Sequence, residues 1–432
     1  MHDVISGRLA FFDSSRLRSL GPRSLENRLT RFFRRTVWSR LPQRLRRALL
    51  AFVLGDARAP VAIGAPASEP ISIIGIVSTP TGIGEGARLA GTALAALGYD
   101  VRNVDISSFL TGAAYSRERP ARLEEGPGTA ILHFNPDNLP AIITLLGRRR
   151  LRGKRIVGYW AWELPRIPQG WLNAFAEVDE IWTPSRFVAD AVRTCTDKTV
   201  RVVHHPVALG LTGSSRRDHF EFGDRFVVLT MFSCSSSFAR KNPVAAVEAF
   251  RRAFGESSRH LLVIKVSDGA DAPEDMAELC EAINGAPNIR IEQRRLDDRE
   301  RLDLIASADV LISLHRSEGF GLVMAEAMLA RVPVVATDWS GNLDYMDGKT
   351  ALLIPSKMIE ALDRKGIYAN GECWADADIE MAAASLRRLA EGGPEIVEMV
   401  NAAHRLATER LGLPAFAATI REAIGLPSGT LS

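Results

Sequence analysis

The sequence predicts an α/β protein with parallel sheets, organised as two doubly wound domains. Its 432 residues are 46% hydrophobic and 24% charged, which is a globular composition on a chain long enough for two hydrophobic cores. Short apolar segments alternate along the chain with longer segments of helical periodicity. Polar, glycine-bearing loops follow several of the apolar segments, and such loops are where doubly wound sheets bind ligands.

Changes in composition divide the chain into five parts. Residues 1–66 are a basic helical leader with an alanine- and proline-rich linker, and residues 67–207 are the first domain. Residues 208–224, which are polar and contain glycine, are the predicted hinge, and residues 225–400 are the second domain. Residues 401–432 are predicted to end in a helix that is able to cross back to the first domain.

Apolar runs and helical periodicity locate the elements within the domains. Predicted strands of the first domain cover residues 71–77, 100–105, 130–135, 155–159 and 178–183. Predicted strands of the second domain cover residues 226–232, 260–266, 288–291, 308–315 and 331–338. Predicted helices cover residues 81–97, 244–250, 298–307, 322–328 and 382–424, and a further helix begins at Ser185.

The leader carries most of the basic excess. Residues 1–58 contain 13 arginines and four acidic residues, a local charge of +9, while the whole chain has +3 and the remainder therefore −6. Residues 24–38 have the pattern of a basic amphipathic helix, which lies either on an anionic membrane surface or on the protein itself. The negative remainder argues against nucleic acid as a partner, because its phosphates need a basic groove.

Composition also bears on compartment. The four cysteines have no close pairs, which argues against a disulfide framework or a zinc site and for a reducing compartment; they are Cys195, Cys234, Cys280 and Cys373. No run of about 18 uncharged apolar residues occurs, so no transmembrane helix is expected. We find no secretory signal pattern. We therefore expect a cytoplasmic protein, either free or peripheral at the inner face of the membrane.

A glycine loop follows the first predicted strand. Gly82 and Gly84, with Ala87 after them and Asp105 ending the next strand, approach the fingerprint of a dinucleotide site. Alone, this loop favours a nicotinamide-dependent oxidoreductase. The same loop, with Glu85, is equally able to face a phosphate or an acceptor across a cleft between two domains.

Polar and aromatic residues follow two further strands of the first domain. His133 stands near the end of one strand and is a candidate hydrogen-bonding group, although such a histidine is often only structural. Trp160, Trp162 and Glu163 follow the next strand. Aromatic faces stack on sugar rings, and a carboxylate accepts hydrogen bonds from hydroxyls, so these residues suit a sugar acceptor. The alternative is that both tryptophans belong to the hydrophobic core.

Two sites in the second domain offer cations to a phosphate. Arg240 and Lys241 follow a strand and a serine-rich loop, and Lys265 stands at the end of the next strand. Fixed cations stabilise negative charge that develops on a departing diphosphate. The alternative for Arg240 and Lys241 is an exposed pair at the start of a helix.

Residues 317–326 carry the strongest functional pattern. Glu318 ends a strand-like segment, and Glu326 lies eight positions later in a helix-like segment. The glycines between them allow a sharp turn, and the start of the helix attracts a diphosphate. Carboxylates that accept from hydroxyls complete a pattern that suits a nucleotide sugar. The alternative is two acids on an ordinary solvated helix. The candidate residues of the turn are Gly319, Phe320, Gly321 and Leu322.

No cofactor or metal is expected. Asp376 and Asp378 imitate a metal-binding Asp-x-Asp pair, but they precede a helical pattern and are better explained as a solvated helix start. Cationic side chains are able to manage a diphosphate without a metal ion.

The block around Glu318 and Glu326 resembles the donor half of the retaining glycosyltransferase family numbered four. That family has two facing Rossmann-like domains, the GT-B fold, and a Glu-x7-Glu motif inside Glu-Gly-Phe-Gly-Leu-x-x-x-Glu-Ala-Met. The resemblance covers residues 308–355 and extends to Lys241, which resembles the family's phosphate-gripping lysine. The departures are Arg331 where glycine is usual, Asp344 where glutamate is frequent, and serines in place of a second arginine.

The resemblance implies a retaining glycosyltransferase that uses a nucleoside diphosphate sugar. Glu326 is expected to bind the ribose hydroxyls, and Glu318 with the turn is expected to hold the sugar. Lys241, Arg240 and Lys265 are expected to stabilise the diphosphate. A glycan or lipid-linked acceptor is expected, in synthesis of a polysaccharide of the exopolysaccharide or O-antigen type. A non-catalytic sugar-binding protein is a further alternative.

Overall fold

The computed structural model describes residues 64–110, 122–209, 213–368 and 371–424, all of which belong to one unit of the chain. The predicted basic helix of the leader lies outside the described residues. Among the residues that are described, no helix is both long and apolar enough to cross a bilayer.

The chain alternates strands and helices from the first described element to the hairpin that precedes the last three helices. The strands are β1 (Ile71–Gly75), β2 (Val101–Asp105), β3 (Gly128–His133), β4 (Lys154–Tyr159), β5 (Glu180–Thr183), β6 (Val200–Val202), β7 (Phe226–Ser233), β8 (His260–Ser267), β9 (Ile289–Glu292), β10 (Val310–Ser313), β11 (Val334–Thr337), β12 (Leu352–Ile354), β13 (Ser356–Glu360) and β14 (Cys373–Ala377). The helices are α1 (Gly82–Ala96), α2 (Ser107–Leu110), α3 (Leu139–Leu146), α4 (Arg148–Leu151), α5 (Arg186–Arg193), α6 (Phe238–Lys241), α7 (Pro243–Phe254), α8 (Pro273–Ile283), α9 (Asp298–Ala306), α10 (Leu322–Leu329), α11 (Ile379–Glu391), α12 (Pro394–Arg410) and α13 (Leu413–Ile424).

Two six-stranded sheets confirm the predicted fold class. The first has the order β2-β1-β3-β4-β5-β6 and the second the order β12-β11-β10-β7-β8-β9. Every strand pair in both sheets is parallel. The first sheet falls within the predicted range 67–207 and the second within 225–400. Parallel strands covered on both faces need apolar side chains on both faces, which explains their continuous apolar runs.

Each sheet has a hydrophobic core on either face. In β1, Ile73 joins one core and its neighbour Ile74 joins the other. In β7, Val227 and Val228 divide in the same way. Alternate residues of a strand point to opposite faces, so helices pack on both sides of each sheet and leave the carboxyl ends of the strands open for a site.

The last helix returns to the first domain. Phe416 and Ile420 of α13 are buried in the same core as Ile71 of β1. Arg201 of β6 also pairs with Glu422 of α13, at 2.7 Å between nitrogen and oxygen. The chain therefore crosses between the domains twice, once near residue 208 and once near residue 411, where Ala208 donates its N–H to the Leu411 carbonyl.

The predicted hinge is only partly a connector. Residues 210–212 lie outside the described part of the chain. Phe220 and Phe222 are buried in a core of the second domain, next to Val227. The later part of the segment 208–224 therefore belongs to the second domain.

A two-stranded antiparallel hairpin, β13 with β14, follows the second sheet and was not anticipated from the sequence. Four of the five residues of β13 are exposed to solvent. Three residues of this region reach the first domain and join its core, namely Ala361, Tyr368 and Trp374. The hairpin region thus links the two domains.

Candidate active site

A cavity of about 620 Å³ lies in the cleft between the two domains. Loops at the carboxyl ends of strands from both sheets line it, which is where doubly wound folds bind ligands. Most of the predicted site residues line this cavity. From the first domain they are Gly82, Glu85, His133 and Glu163, and from the second domain they are Arg240, Lys241, Lys265, Glu318, Gly319, Phe320, Gly321, Leu322 and Glu326.

Glu318 is a buried acid held between two cations. Its carboxylate pairs with the ammonium of Lys241 and with the guanidinium of Arg240, the latter at 3.2 Å between Oε2 and Nη1. The hydroxyl of Ser340 also accepts the Glu318 N–H at 2.9 Å. Burial opposes ionisation, but the charges of Lys241 and Arg240 outweigh it and lower the pKa of Glu318 to about 2. The carboxylate therefore stays ionised at neutral pH.

Glu326 occupies the second turn of α10 and is also buried. Its carboxylate pairs with the guanidinium of Arg301 on α9. Burial raises the pKa of Glu326, and the charge of Arg301 opposes that rise. Arg301 was not predicted as a site residue, because it stands in the charged run 297–301 and nothing in the pattern distinguishes it from a solvated helix residue.

The turn between the two acids brings main chain to the cavity. Gly321 has a φ of 92°, in the left-handed region that favours glycine, and α10 begins at the next residue. The hydroxyl of Tyr345 donates to the Gly321 carbonyl at 2.7 Å, and the hydroxyl of Ser185 donates to the Gly319 carbonyl at 2.6 Å. Ser185 belongs to the first domain, so both domains fix the turn. Leu322, the first residue of α10, lines the cavity, so the amino-terminal end of this helix lies where an anion would be favoured.

Arg331 stands where the family that this sequence resembles usually has glycine. The turn is made here by a non-glycine residue in a strained backbone conformation. Arg331 adopts a φ of 58° between α10 and β11, and its guanidinium donates to the side chain of Asn401 at 2.6 Å. A left-handed non-glycine residue costs roughly 1 kcal/mol.

Arg240 and Lys241 differ in what they offer to a ligand. Arg240 is 3% exposed, and its guanidinium donates to the Ser317 carbonyl at 2.7 Å and to the hydroxyl of Ser236. It also stands 3.2 Å from Glu318 and 3.7 Å from Glu163. The side chain of Lys241 is 23% exposed, and among the described residues its ion pair is with Glu318. Lys241 is thus the more available cation, and Arg240 is largely committed to protein groups.

Lys265 is a third cation at the cavity. It is buried near the end of β8, and its ammonium donates to the Val266 carbonyl at 3.1 Å. Burial lowers the pKa of Lys265, and the nearby carboxylates of Glu292 and Asp268 oppose that shift. An ammonium with one protein acceptor retains two protons for a phosphate.

The glycine loop of the first domain faces the turn of the second. Gly82 begins α1, and a Cβ there would come within 3.8 Å of the Leu322 side chain across the cleft. Gly84 does not line the cavity, contrary to its prediction as a site residue. A Cβ at Gly84 would stand 2.5 Å from the Thr79 carbonyl oxygen, so close packing of α1 against the preceding loop explains this glycine.

Asp105, the acid of the apparent dinucleotide fingerprint, is committed to the protein. Its carboxylate accepts from the hydroxyl of Ser78 at 2.7 Å and from the Ser107 N–H at 2.9 Å. It does not line the cavity.

The two tryptophans are core residues, so the expectation that they stack on a sugar is wrong. Trp160 is 1% exposed and packs edge-on against Trp171 and Phe175. Trp162 is 6% exposed, and its indole N–H donates to the Arg166 carbonyl at 2.8 Å. Neither lines the cavity. The sequence alternation that suggested a binding face instead serves the packing of a tryptophan cluster.

His133 belongs to a stack of rings at the floor of the cleft. Its ring lies 4.1 Å from that of Tyr159, nearly parallel, and His205 lies beyond with Phe320 edge-on to it. His133 is 1% exposed, and neither ring nitrogen has a partner among the described residues. Burial lowers its pKa to about 3, so the ring is neutral. A neutral imidazole that lines the cavity with free nitrogens is able to hydrogen-bond a hydroxyl.

Glu163 is the first domain's carboxylate in the cleft. The hydroxyl of Tyr368 donates to its Oε2 at 3.0 Å, and its Oε1 lies 3.7 Å from Arg240. Tyr368 was not predicted as a site residue, because it lies in the unanticipated region between β13 and β14.

Candidate metal ligands do not gather in the part of the chain that the structure describes, where no group of three or more His, Cys, Asp or Glu side chains suits a metal ion. Asp376 pairs with Arg316 at 3.2 Å, and the side chain of Asp378 caps α11 by accepting the Met381 N–H at 3.0 Å. Both acids of the Asp-x-Asp pair thus have structural partners.

Residues 230–367 match the sequence family described as "Glycosyl transferases group 1". The lipopolysaccharide glucosyltransferase WaaG of Escherichia coli K12 is 31% identical over 116 residues, which is 27% of this chain and 30% of WaaG. The alpha-1,3/1,6-mannosyltransferase alg2 of Schizosaccharomyces pombe is 27% identical over 225 residues, covering 45% of this chain and 44% of alg2. The chain thus spans less than half the length of either curated relative.

Among solved structures, Anabaena Alr3699/HepE in complex with UDP has a similar fold. It aligns with a TM-score of 0.59 at 14% sequence identity, over 83% of this chain and 100% of HepE. At such identity the likeness concerns the fold alone. The chain therefore has two Rossmann-like domains of the GT-B type, and its residues 230–367 match the glycosyl transferases group 1 family.

Proposed function

We propose that this protein transfers a hexose from a nucleoside diphosphate sugar to a glycan or lipid-linked acceptor, with retention of the anomeric configuration. One observation carries the proposal. Glu318 and Glu326 line one interdomain cavity, together with cations at Lys241 and Arg301 and the start of α10 between them. That set offers acceptors to hydroxyls and cations with N–H groups to phosphates.

The geometry suggests a role for each group. Glu326 accepts hydrogen bonds from the ribose hydroxyls, and Glu318 with the turn at Gly319 holds the sugar ring. Lys241 and Lys265 stabilise the diphosphate as negative charge grows on it. Arg240 keeps Glu318 ionised and in place, since most of its hydrogen-bonding groups already have protein partners.

Retention follows from the family resemblance. The bond between the anomeric carbon and the diphosphate oxygen breaks, and the acceptor oxygen bonds to that carbon on the same face. The acceptor's proton passes to the departing diphosphate oxygen. We further propose that no metal ion is required, since Lys241 and Lys265 already provide positive charge at the cavity.

The relatives support the substrate class. WaaG is a lipopolysaccharide glucosyltransferase, alg2 is a mannosyltransferase, and HepE has been crystallised with UDP. We infer a nucleotide-linked hexose as donor and an acceptor used in cell-surface polysaccharide synthesis, of the exopolysaccharide or O-antigen type. We also propose a cytoplasmic enzyme whose basic leader, residues 1–58, contacts the inner face of the membrane.

A thermal-shift panel tests the donor assignment. UDP, GDP, their hexose conjugates and NADH are added separately to the full chain, and a ligand that binds the native state raises the melting temperature. We expect one nucleotide series to stabilise the protein and Glu326→Gln to lose most of that shift, with the exposed Lys349→Ala as a matched control. Transfer of labelled sugar from that donor then tests turnover. A shift with NADH alone would overturn the proposal in favour of an oxidoreductase.

A further inference from the structure

The region between β12 and α11 connects the two domains at the cavity; we name residues 356–368 and 371–377 the strap. It is anchored on the second domain, where Arg364 pairs with Asp275 at 3.0 Å and the Ala375 N–H donates to the Arg316 carbonyl at 2.9 Å. The guanidinium of Arg316 also lies 5.8 Å from the centre of the Trp374 ring. The base of the strap is therefore fixed to the domain from which it emerges.

The other side of the strap is buried in the first domain. Tyr368 and Trp374 join the core that contains Trp162, and the rings of Tyr368 and Trp162 lie 5.4 Å apart. Glu372 pairs with Arg166 of the first domain at 3.1 Å. Apolar and ionic contacts thus hold the strap across the cleft rather than on one side of it.

A polar contact joins the strap to the first domain's side of the cavity. The Tyr368 hydroxyl donates to Glu163 at 3.0 Å, and Tyr368 itself is 5% exposed. The other oxygen of Glu163 faces Arg240 at 3.7 Å, and Arg240 in turn binds Glu318 at 3.2 Å. A continuous polar chain therefore runs from the strap through the first domain's carboxylate to the acid that we assign to the donor sugar.

We propose that Tyr368 is a positioning residue for sugar transfer, which acts through Glu163 to hold Arg240 against Glu318. Resting on the proposed function, this inference adds a role for the strap that the motifs do not contain. A buried guanidinium between two carboxylates is stable only while both acids keep their orientation. The Tyr368 hydroxyl restrains one of them, so its loss lets Glu163 rotate and loosens Arg240. The nucleotide contacts at Glu326 lie outside this polar chain and are unaffected.

A double-mutant cycle with Tyr368→Phe and Glu163→Gln tests the proposal, since only coupled residues deviate from additivity. Tyr368→Phe keeps the buried ring and removes only the hydroxyl. We expect kcat to fall roughly tenfold, the scale of a hydrogen bond to a charged group, with the donor KM changed by less than about twofold. In the Glu163→Gln background the same change should cost less than about twofold. Tyr99→Phe, on the far side of the first domain, is the matched control.

The outcomes separate this inference from the proposed function. If wild-type protein transfers sugar but Tyr368→Phe retains full kcat, or if the two substitutions act additively, the positioning role is wrong while the function stands. If the wild type neither binds a nucleotide sugar nor transfers one, the proposed function fails first. Tyr368→Phe should also keep the nucleotide-induced thermal shift of the wild type; loss of that shift would contradict a role confined to the Glu163 chain.

Discussion

The first domain forms the first wall of the cleft and the second domain forms the second wall. The two walls differ in how their residues come to line the cavity. On the second domain, Glu318 and Glu326 come from one contiguous block and both line the cavity. On the first domain, residues were predicted from separate strand ends, and only some arrive: His133 and Glu163 line the cavity, whereas Trp160 is buried in the core.

The difference is whether the local backbone or the tertiary packing determines where a side chain lies. A turn that contains Gly321 and runs straight into α10 fixes the relation between its flanking acids within a few residues of backbone. A residue beyond a strand end can point to the cavity or to the core, and the packing of distant helices decides which. Substitutions in the first domain therefore test whether a side chain belongs to the core or to the cavity, and substitutions in the second domain test the roles assigned to the block around Glu318.

The largest expected effect is on stability, and it tests whether Trp160 is a core residue or a binding residue. Because this side chain is fully buried against Trp171 and Phe175, Trp160→Ala should lower the free energy of unfolding by about 3–5 kcal/mol. Urea denaturation measures this, with Leu172→Ala, an exposed position in the same region, as a control of small effect. A stable Trp160→Ala protein with selectively weakened acceptor binding would instead restore the stacking interpretation.

Lys241→Ala should produce the next largest effect, on turnover. Removing one preorganised charge from a leaving group typically lowers kcat by about 10²–10³-fold. The donor KM should change far less, because Glu326 and the α10 turn remain. Steady-state kinetics with a matched melting temperature provide the measurement, and Lys349→Ala serves as the exposed control. An unchanged kcat with a raised donor KM would instead mean that Lys241 stabilises the ground state and the transition state alike.

Glu326→Gln should weaken nucleotide binding by roughly 10–100-fold, as expected for loss of hydrogen bonds to a charged acceptor. Because ribose is common to the free nucleotide and the nucleotide sugar, both should lose affinity to the same extent in calorimetric titration. Glutamine preserves the size of the side chain, so the α10 packing is retained. A loss confined to the sugar-bearing ligand would move Glu326 from the ribose to the sugar.

The sequence predicted what local chemistry determines. Alternating apolar runs gave both parallel sheets, and the Glu318 block correctly joined a strand, a glycine turn and a helix. Neither Arg301 nor Tyr368 was predicted as a site residue, and the reasons differ. Arg301 looks like any charged helix residue until α9 packs beside α10 and brings it to Glu326. Tyr368 depends on the strap crossing to another domain, a long-range contact that periodicity does not encode.

The smallest effect concerns His133, the first-wall residue whose environment is least usual. Its ring is buried and neutral, with a pKa lowered to about 3 by burial, against 6.5 for an ordinary histidine. Between these two pH values His133 is protonated in the unfolded chain but neutral in the folded protein. Stability is therefore fully present above pH 6.5 and is lost as the pH falls towards 3, with a slope of at most about 1.4 kcal/mol per pH unit from this group.

His133→Phe keeps the stack on Tyr159 and removes the titrating group, so the loss of unfolding free energy between pH 6.5 and 5 should be shallower than in the wild type. Urea denaturation at several pH values measures the two slopes. His205, which is also buried with a lowered pKa, continues to contribute in the variant, so the slope should be reduced rather than abolished. Parallel slopes in wild type and His133→Phe would mean that the ring takes up a proton in the folded protein as readily as in the unfolded chain, and would contradict the lowered pKa.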